Sequence, residues 1–211
     1  NERAPHLKPY LRSQKGRYRR RRGTKVREEV REKAKKRRID ERPAVVERRG
    51  RIGDWEGDTM MGRDKRVRIV TFVDRRSGYL VAFLLPKMKA ELLTSLALQR
   101  FRRISKNKRN TITLDNGTEF SDWERLEKQT GMAIYFAYPY HAWERGTNEN
   151  TNGLLRQYFP KKTDFTKIDA REVRRVEKLL NNRPRKSLNY RTPLDVFREA
   201  RLRSSNVALQ S

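Results

Sequence analysis

The order of the patterned segments constrains this chain most. From residue 54 onward, strand-like runs and helical stripes follow as strand, strand, strand, helix, strand, helix, strand, helix. Residues 54–61 form a short first run. Residues 66–73 alternate, with Val67, Ile69 and Thr71 on one side and Val70 and Phe72 on the other. Asp74-Arg75-Arg76-Ser77-Gly78 is a turn signal, and residues 79–85 are a third apolar run closed by Pro86. The short links predict an antiparallel meander. A helix is expected over 89–104, where Leu93, Leu96, Arg100 and Ile104 recur at helical spacing and Leu92 and Phe101 widen the stripe. Residues 111–114 read as a strand ended by Asp115-Asn116-Gly117, 119–129 as a helix, 132–137 as a strand, and about 147–158 as a helix. A last helix starts at Asp169, where Asp169 and Glu172 resemble a capping box. It buries Val173, Val176 and Leu180 and ends at Asn181-Asn182-Arg183-Pro184. This order predicts an α/β mixed sheet with helices packed on its faces.

The first third has a different texture. Residues 12–51 hold 19 Lys or Arg against 6 Asp or Glu, and Tyr18 is their only aromatic residue. The run Arg19-Arg20-Arg21-Arg22 precedes Gly23, and 26–38 reads as a helix with acidic residues near its start and basic ones near its end. Its apolar face of Val26, Val30 and Ala34 is thin, so order is expected to come from DNA or a partner chain; a solvated tail is the plainer alternative. The domain reading is a basic, partly helical DNA-binding arm or linker over 1–50, a core over 51–200 and a tail over 201–211. The chain starts at Asn1 rather than Met, which reads as a piece of something longer.

Over all 211 residues the net charge is +27. A chain so basic repels itself unless it meets a polyanion, and nucleic acid gains from the exchange because Lys and Arg displace its counterions. An anionic membrane surface is the alternative. No apolar stretch approaches the roughly 18 residues of a membrane span, and no signal peptide is visible. The absence of Cys excludes disulfides and thiolate metal sites, and His6 and His141 are too few for a zinc finger. A cytoplasmic protein that associates with nucleic acid is expected.

Against this background, acidic residues at strand ends stand out. Asp58 lies in Trp55-Glu56-Gly57-Asp58-Thr59, and Asp115 lies where a buried strand gives way to Asn-Gly. Glu149 lies in Arg145-Gly146-Thr147-Asn148-Glu149-Asn150-Thr151-Asn152-Gly153, whose Asn and Gly content weakens a helix. Something other than helix stability favours those residues. Phosphodiester cleavage needs charge neutralisation and an activated oxygen, which two Mg²⁺ (or Mn²⁺) ions about 4 Å apart supply. Such ions take hard oxygen ligands, so two or three carboxylates suffice. Solvation or pairing with one of the many Arg residues is the alternative for each acid.

Wider blocks narrow the choice. Gly53-Asp54-Trp55-Glu56-Gly57-Asp58-Thr59, Leu114-Asp115-Asn116-Gly117-Thr118-Glu119-Phe120 and Trp143-Glu144-Arg145-Gly146-Thr147-Asn148-Glu149-Asn150 resemble the three catalytic blocks of DDE transposases, more narrowly the family founded by insertion sequence thirty. The third block continues to match through Lys161, as do Ile39-Asp40-Glu41-Arg42-Pro43, Asn182-Arg183-Pro184-Arg185-Lys186 and Thr192-Pro193. The 33 residues between Asp115 and Glu149 fit the family's pattern. The resemblance implies an RNase H-like core related to retroviral integrases, with Asp58, Asp115 and Glu149 as catalytic and metal-binding triad. It implies that water frees a 3′-hydroxyl at the element end and that this hydroxyl attacks target DNA. Terminal-repeat and target DNA are the partners implied, and pairing two ends makes a homo-oligomer on DNA plausible. Family members carry an N-terminal helix-turn-helix region, which has no counterpart in this sequence; Asp122-Trp123 stands where some relatives have a His.

Around the triad, Arg19, Arg20, Arg21, Arg22, Arg145, Asn148, Arg156 and Lys161 are the candidate DNA contacts. Solvation, or hydrogen bonding to backbone for the Asn, is the alternative. Asp54 and Glu56 share a strand face with Asp58, and pairing with Arg is their simplest role. Glu119 reads as a helix-start charge, and Trp55 as packing. Two rival functions remain: a non-catalytic basic nucleic-acid-binding protein, and a metal-dependent nuclease that cuts without joining.

Overall fold

The computed structural model describes residues 36–138 and 146–199. The chain divides after Lys36, and the described residues from Arg37 on form one unit. Its centre is a five-stranded sheet of β1 (Asp54–Met61), β2 (Arg68–Asp74), β3 (Leu80–Leu85), β4 (Thr111–Leu114) and β5 (Ala133–Phe136), in the order β3-β2-β1-β4-β5. β1, β2 and β3 form the expected antiparallel meander, and β4 and β5 join β1 in parallel. Besides a single turn at Ala44–Glu47, the helices are α1 (Ala90–Phe101), α2 (Trp123–Thr130), α3 (Gly146–Leu155), α4 (Ala170–Asn181) and α5 (Pro193–Glu199). This mixed sheet flanked by helices is the expected class.

Alternation along the strands divides the core in two. Trp55, Val70, Phe72, Val81, Phe83, Ile112, Leu114, Ile134 and Phe136 pack with α1, α2 and Phe197 of α5 on one face. Met60, Ile69, Val73, Leu80 and Ala82 pack with Leu155 of α3 and Val173, Val176 and Leu180 of α4 on the other. Trp55 has no exposed surface; it meets Phe101 edge-on at 5.2 Å and donates from Nε1 to the Lys108 carbonyl. It therefore packs rather than offering a stacking platform. Gly57 is fixed by the same face, because a Cβ there would lie 2.5 Å from Leu114 Cδ2 and 2.9 Å from Phe72 Cε1.

Both edges of the sheet are covered. At β3, Asn181 accepts from the Leu80 amide and donates to its carbonyl, both at 2.8 Å, and Glu177 accepts from the Ala82 amide at 2.9 Å. At β5, Phe136 donates its amide to the Arg37 carbonyl, and Arg38 makes an isolated parallel bridge to Phe136.

Several local features were not anticipated. The expected helix over 119–129 is a 3₁₀ turn (Thr118–Phe120) followed by α2, which Gly131 ends with a left-handed φ of 73°. The helix expected over 26–38 lies outside the described residues as far as Lys35; Arg37 and Arg38 instead follow β5. The Arg37 guanidinium grips Glu127 through two hydrogen bonds of 2.7 and 2.9 Å. Ile39 and Val46 are buried, and Arg42 donates to Thr113. Residues 37–47 thus pack on the same unit as the sheet. Asp169 caps α4 as expected, accepting from the Arg171 amide. Among the described residues no helix is long and apolar enough to cross a membrane.

Candidate active site

The strand register brings two of the three singled-out carboxylates together. The last paired residues of β1 and β4 are Glu56 and Thr113. Asp58 and Asp115 each follow two positions later, which returns both side chains to the face carrying α3 and α4. Asp58 is half-buried; its Oδ1 accepts from the Thr59 amide and its Oδ2 from Asn152 Nδ2, both at 2.8 Å. Asp115 Oδ1 accepts from the Gly117 amide at 2.9 Å, and Asn116 ties the loop down by donating to the Ala137 carbonyl.

The third carboxylate sits on α3, which two asparagines lock to the strands. Asn148 is wholly buried; its backbone amide donates to Glu56 Oε2 at 2.8 Å and its Nδ2 to the Glu56 carbonyl at 3.0 Å. Asn152 lies one turn further, on Asp58. The Thr71 hydroxyl of β2 is within reach of both, 3.0 Å from Asn148 Oδ1 and 3.2 Å from Asn152 Oδ1. The unusual Asn content of the block therefore answers to strand contacts. Glu149 projects from the flank of this helix and is exposed.

Glu56 is an anchor as well. It is 1% exposed, and its Oε1 lies 3.0 Å from Arg75 Nη1, itself 5% exposed. Burial pushes the Glu56 carboxyl up, against the opposing pull of Arg75 and of the Asn148 amide. Burial likewise lowers the Arg75 guanidinium. Asp54 pairs with Arg51 at 2.9 Å and accepts from Thr111. The expected pairing of these acids with Arg holds.

A model of the family described as "Integrase core domain" matches residues 49–142. Residues 49–142 are thus similar to an integrase core. It is 42% identical over 173 residues to the transposase for insertion sequence element IS4351 of Bacteroides fragilis, covering 82% of this chain and 52% of that protein. It is 38% identical over 159 residues to transposase InsI for element IS30A of Escherichia coli strain K12, covering 75% and 41%. It is 36% identical over 159 residues to the transposase for element IS1086 of Cupriavidus metallidurans, covering 75% and 47%. The chain thus spans about half the length of these relatives. The likeness to transposases founded by insertion sequence thirty, read from the three blocks, is borne out.

The integrase core holds a fourth acid that the sequence reading set aside. Glu119 is buried, accepts from the Thr59 hydroxyl at 2.6 Å and pairs with Arg68 at 2.7 Å. Gly117 lies between this carboxylate and the other acids' loop. A Cβ there would sit 2.4 Å from Glu119 Oε2 and 2.9 Å from Asp115 Oδ1. Glu119 therefore braces Thr59, next to Asp58, and abuts the Asp115 loop. Nothing in its local sequence sets it apart from a helix-start charge.

Of the expected DNA contacts, Arg19, Arg20, Arg21, Arg22 and Arg145 lie outside the described residues, as does His141. Arg156 is half-buried, donates to the Met61 carbonyl at 2.9 Å, and has its guanidinium lowered by burial. Lys161 is exposed, whereas Asn148 has no surface to offer a phosphate in this conformation. The oxygen donors of Asp58, Asp115 and Glu149 are of the kind Mg²⁺ takes; the first two belong to neighbouring strands, Asp115 just past the end of β4 as expected but Asp58 within β1, which runs on to Met61. Among the described residues no three of His, Cys, Asp or Glu are gathered to hold a metal ion.

Proposed function

We propose that this protein is a transposase that cuts and rejoins DNA by metal-dependent phosphoryl transfer, with Asp58, Asp115 and Glu149 as its catalytic and metal-binding carboxylates. The observation that carries the reading is the side-by-side placement of Asp58 and Asp115, with the Glu149 helix fastened to Asp58 through Asn152. Two bound Mg²⁺ or Mn²⁺ ions would supply charge neutralisation at the scissile phosphate and activation of the attacking oxygen. Asp58 and Asp115 would hold them from the sheet, and Glu149 would complete the set from α3. Asn152 and the Thr59 amide orient Asp58, the Gly117 amide orients Asp115, and Asn148 sets the height of α3 on β1. Water attack at the element end and 3′-hydroxyl attack on target DNA are both in-line displacements at phosphorus, so one set of carboxylates serves both.

The substrates are the terminal repeats and target DNA of an insertion sequence, engaged by the basic stretch over 12–38 and by the exposed face of the core. A homo-oligomer on DNA would bring two ends together.

Replacing Asp115 by Ala tests the reading. Loss of several kcal/mol of transition-state stabilisation corresponds to a fall in Mg²⁺-dependent cleavage of about a thousandfold or more, while a binding titration on the same DNA stays near the parent value. Cleavage at the parent rate would remove the catalytic assignment. Strand joining with a pre-cut end distinguishes a transposase from a nuclease that only cuts.

A further inference from the structure

Beside the head of α3 lies a cavity of about 410 Å³ that the carboxylates do not use. Its wall includes Arg49, Arg75, Arg76 and Arg185 together with Thr147 and Asn150, and none of its lining residues is acidic. The volume falls within the range of ligand sites. Gly146 and Thr147 of α3 line the cavity too.

Two of the arginines, Arg75 and Arg185, are built in, whereas Arg49 and Arg76 are exposed. Arg75 is 5% exposed, and its Nε has no hydrogen-bond partner. Arg185 is half-buried, and its Nε and Nη2 are buried without a partner. Its Nη1 is wedged 2.8 Å from where a Cβ on Gly78 would stand. Burial, then repulsion from Arg183, lowers the Arg185 guanidinium. Among the described residues no carboxylate forms an ion pair with Arg185. A buried donor without an acceptor is costly, and a cationic one costs more. A fork of N–H groups facing an acid-free cavity is satisfied by the oxygens of an anion.

We propose that this cavity is a binding site for a phosphodiester of the DNA backbone, with Arg185 as its central fork and Arg75, Arg76 and Arg49 around it. The proposal rests on the reading of the protein as one that acts on DNA. Nothing in the lining reads a base edge, so the site fixes position rather than sequence. Asn150 lies next to Glu149 in the chain, so a phosphate seated here sets the duplex against the third carboxylate. It also gives a role to Asn182-Arg183-Pro184-Arg185-Lys186, which the carboxylate chemistry leaves unused.

The test is DNA affinity against salt, measured by anisotropy on the full chain in EDTA so that no cleavage enters. Arg185→Gln should lower the slope of log K against log salt by about 0.9, the value for one phosphate. The weakening should be equal for unrelated sequences. A single methylphosphonate scanned along the duplex should weaken the parent at one position and leave Arg185→Gln unaffected there. Inorganic phosphate should compete with this contact in the parent only at high concentration; low-concentration displacement would mark a free-phosphate site and overturn the proposal. Arg76→Gln, at an exposed side chain, carries the same expectation should Arg185→Gln fail to fold. Parent slope and parent methylphosphonate pattern in a folded variant overturn the proposal alone. Failure of the unmodified chain to bind DNA overturns this and the proposed function together.

Discussion

Glycine 117 occupies a gap that two carboxylates leave open. A methyl group there would press on Glu119, which Thr59 and Arg68 hold, and on Asp115, which the Gly117 amide holds. Gly117→Ala therefore costs about 1–3 kcal/mol of stability, as overpacking does. It should also depress cleavage far more than DNA affinity, because the displaced groups are the acids and not the surface. Unchanged cleavage with an unchanged melting temperature would show that the loop yields freely. Glu119→Ala strands Arg68, which is 16% exposed, so the loss expected for breaking a buried pair is about 3–5 kcal/mol, read as a lowered denaturant midpoint. At this scale the sequence was half legible. Asp115 announces itself as an acid at a strand end in a basic chain, and Asp58 as an acid beside a glycine in a strand, although β1 runs on past it to Met61. Glu119 looks like an ordinary helix-start charge, because nothing local says that Arg68 and Thr59 will converge on it from another strand.

For the elements, the same division appears with a different cause. The three strands of the meander and the stripe of α1 were readable because their periods of two and 3.6 are local properties. The break between Thr118–Phe120 and α2 was not readable, nor was α5, whose Phe197 packs on Trp55 from far along the chain. The composition of α3 is the clearest case. Its Asn residues argue against a helix by propensity, and tertiary bonds to Glu56, Thr71 and Asp58 outweigh that. Asn152→Ala should leave α3 attached through Asn148 but remove one of the bonds that orient the Asp58 carboxylate, leaving the Thr59 amide. We expect a loss in kcat with little change in DNA affinity. Asn148→Ala removes the buried link to the Glu56 carbonyl, at about 1–3 kcal/mol, and should lower the melting temperature as well. Equal effects of the two variants on stability and on rate would contradict this separation of roles.

On the scale of the whole molecule, Glu177 joins three layers: it sits on α4, accepts from Ala82 on β3 and pairs with Arg100 of α1. Burial raises its carboxyl, against Arg100, the Ala82 amide and Arg174, and Tyr79 faces the same group. The folded state thus holds this proton more tightly than the unfolded chain does. That contribution is complete below the unfolded value of about 4.3 and is lost as pH rises through the raised native value. Melting temperatures of Glu177→Gln, compared with the parent from about pH 4 to about pH 7, should shift in the variant's favour as pH rises. Parallel curves would refute the assignment. The closed borders of the sheet have a further consequence. With the outer backbone groups of β3 engaged by Asn181 and Glu177, and β5 flanked by Arg37 and Arg38, a second copy has little free strand edge on which to continue the sheet. Among the described residues, contact between copies would therefore fall to helices and loops, and fibre-like strand addition along the sheet is not invited.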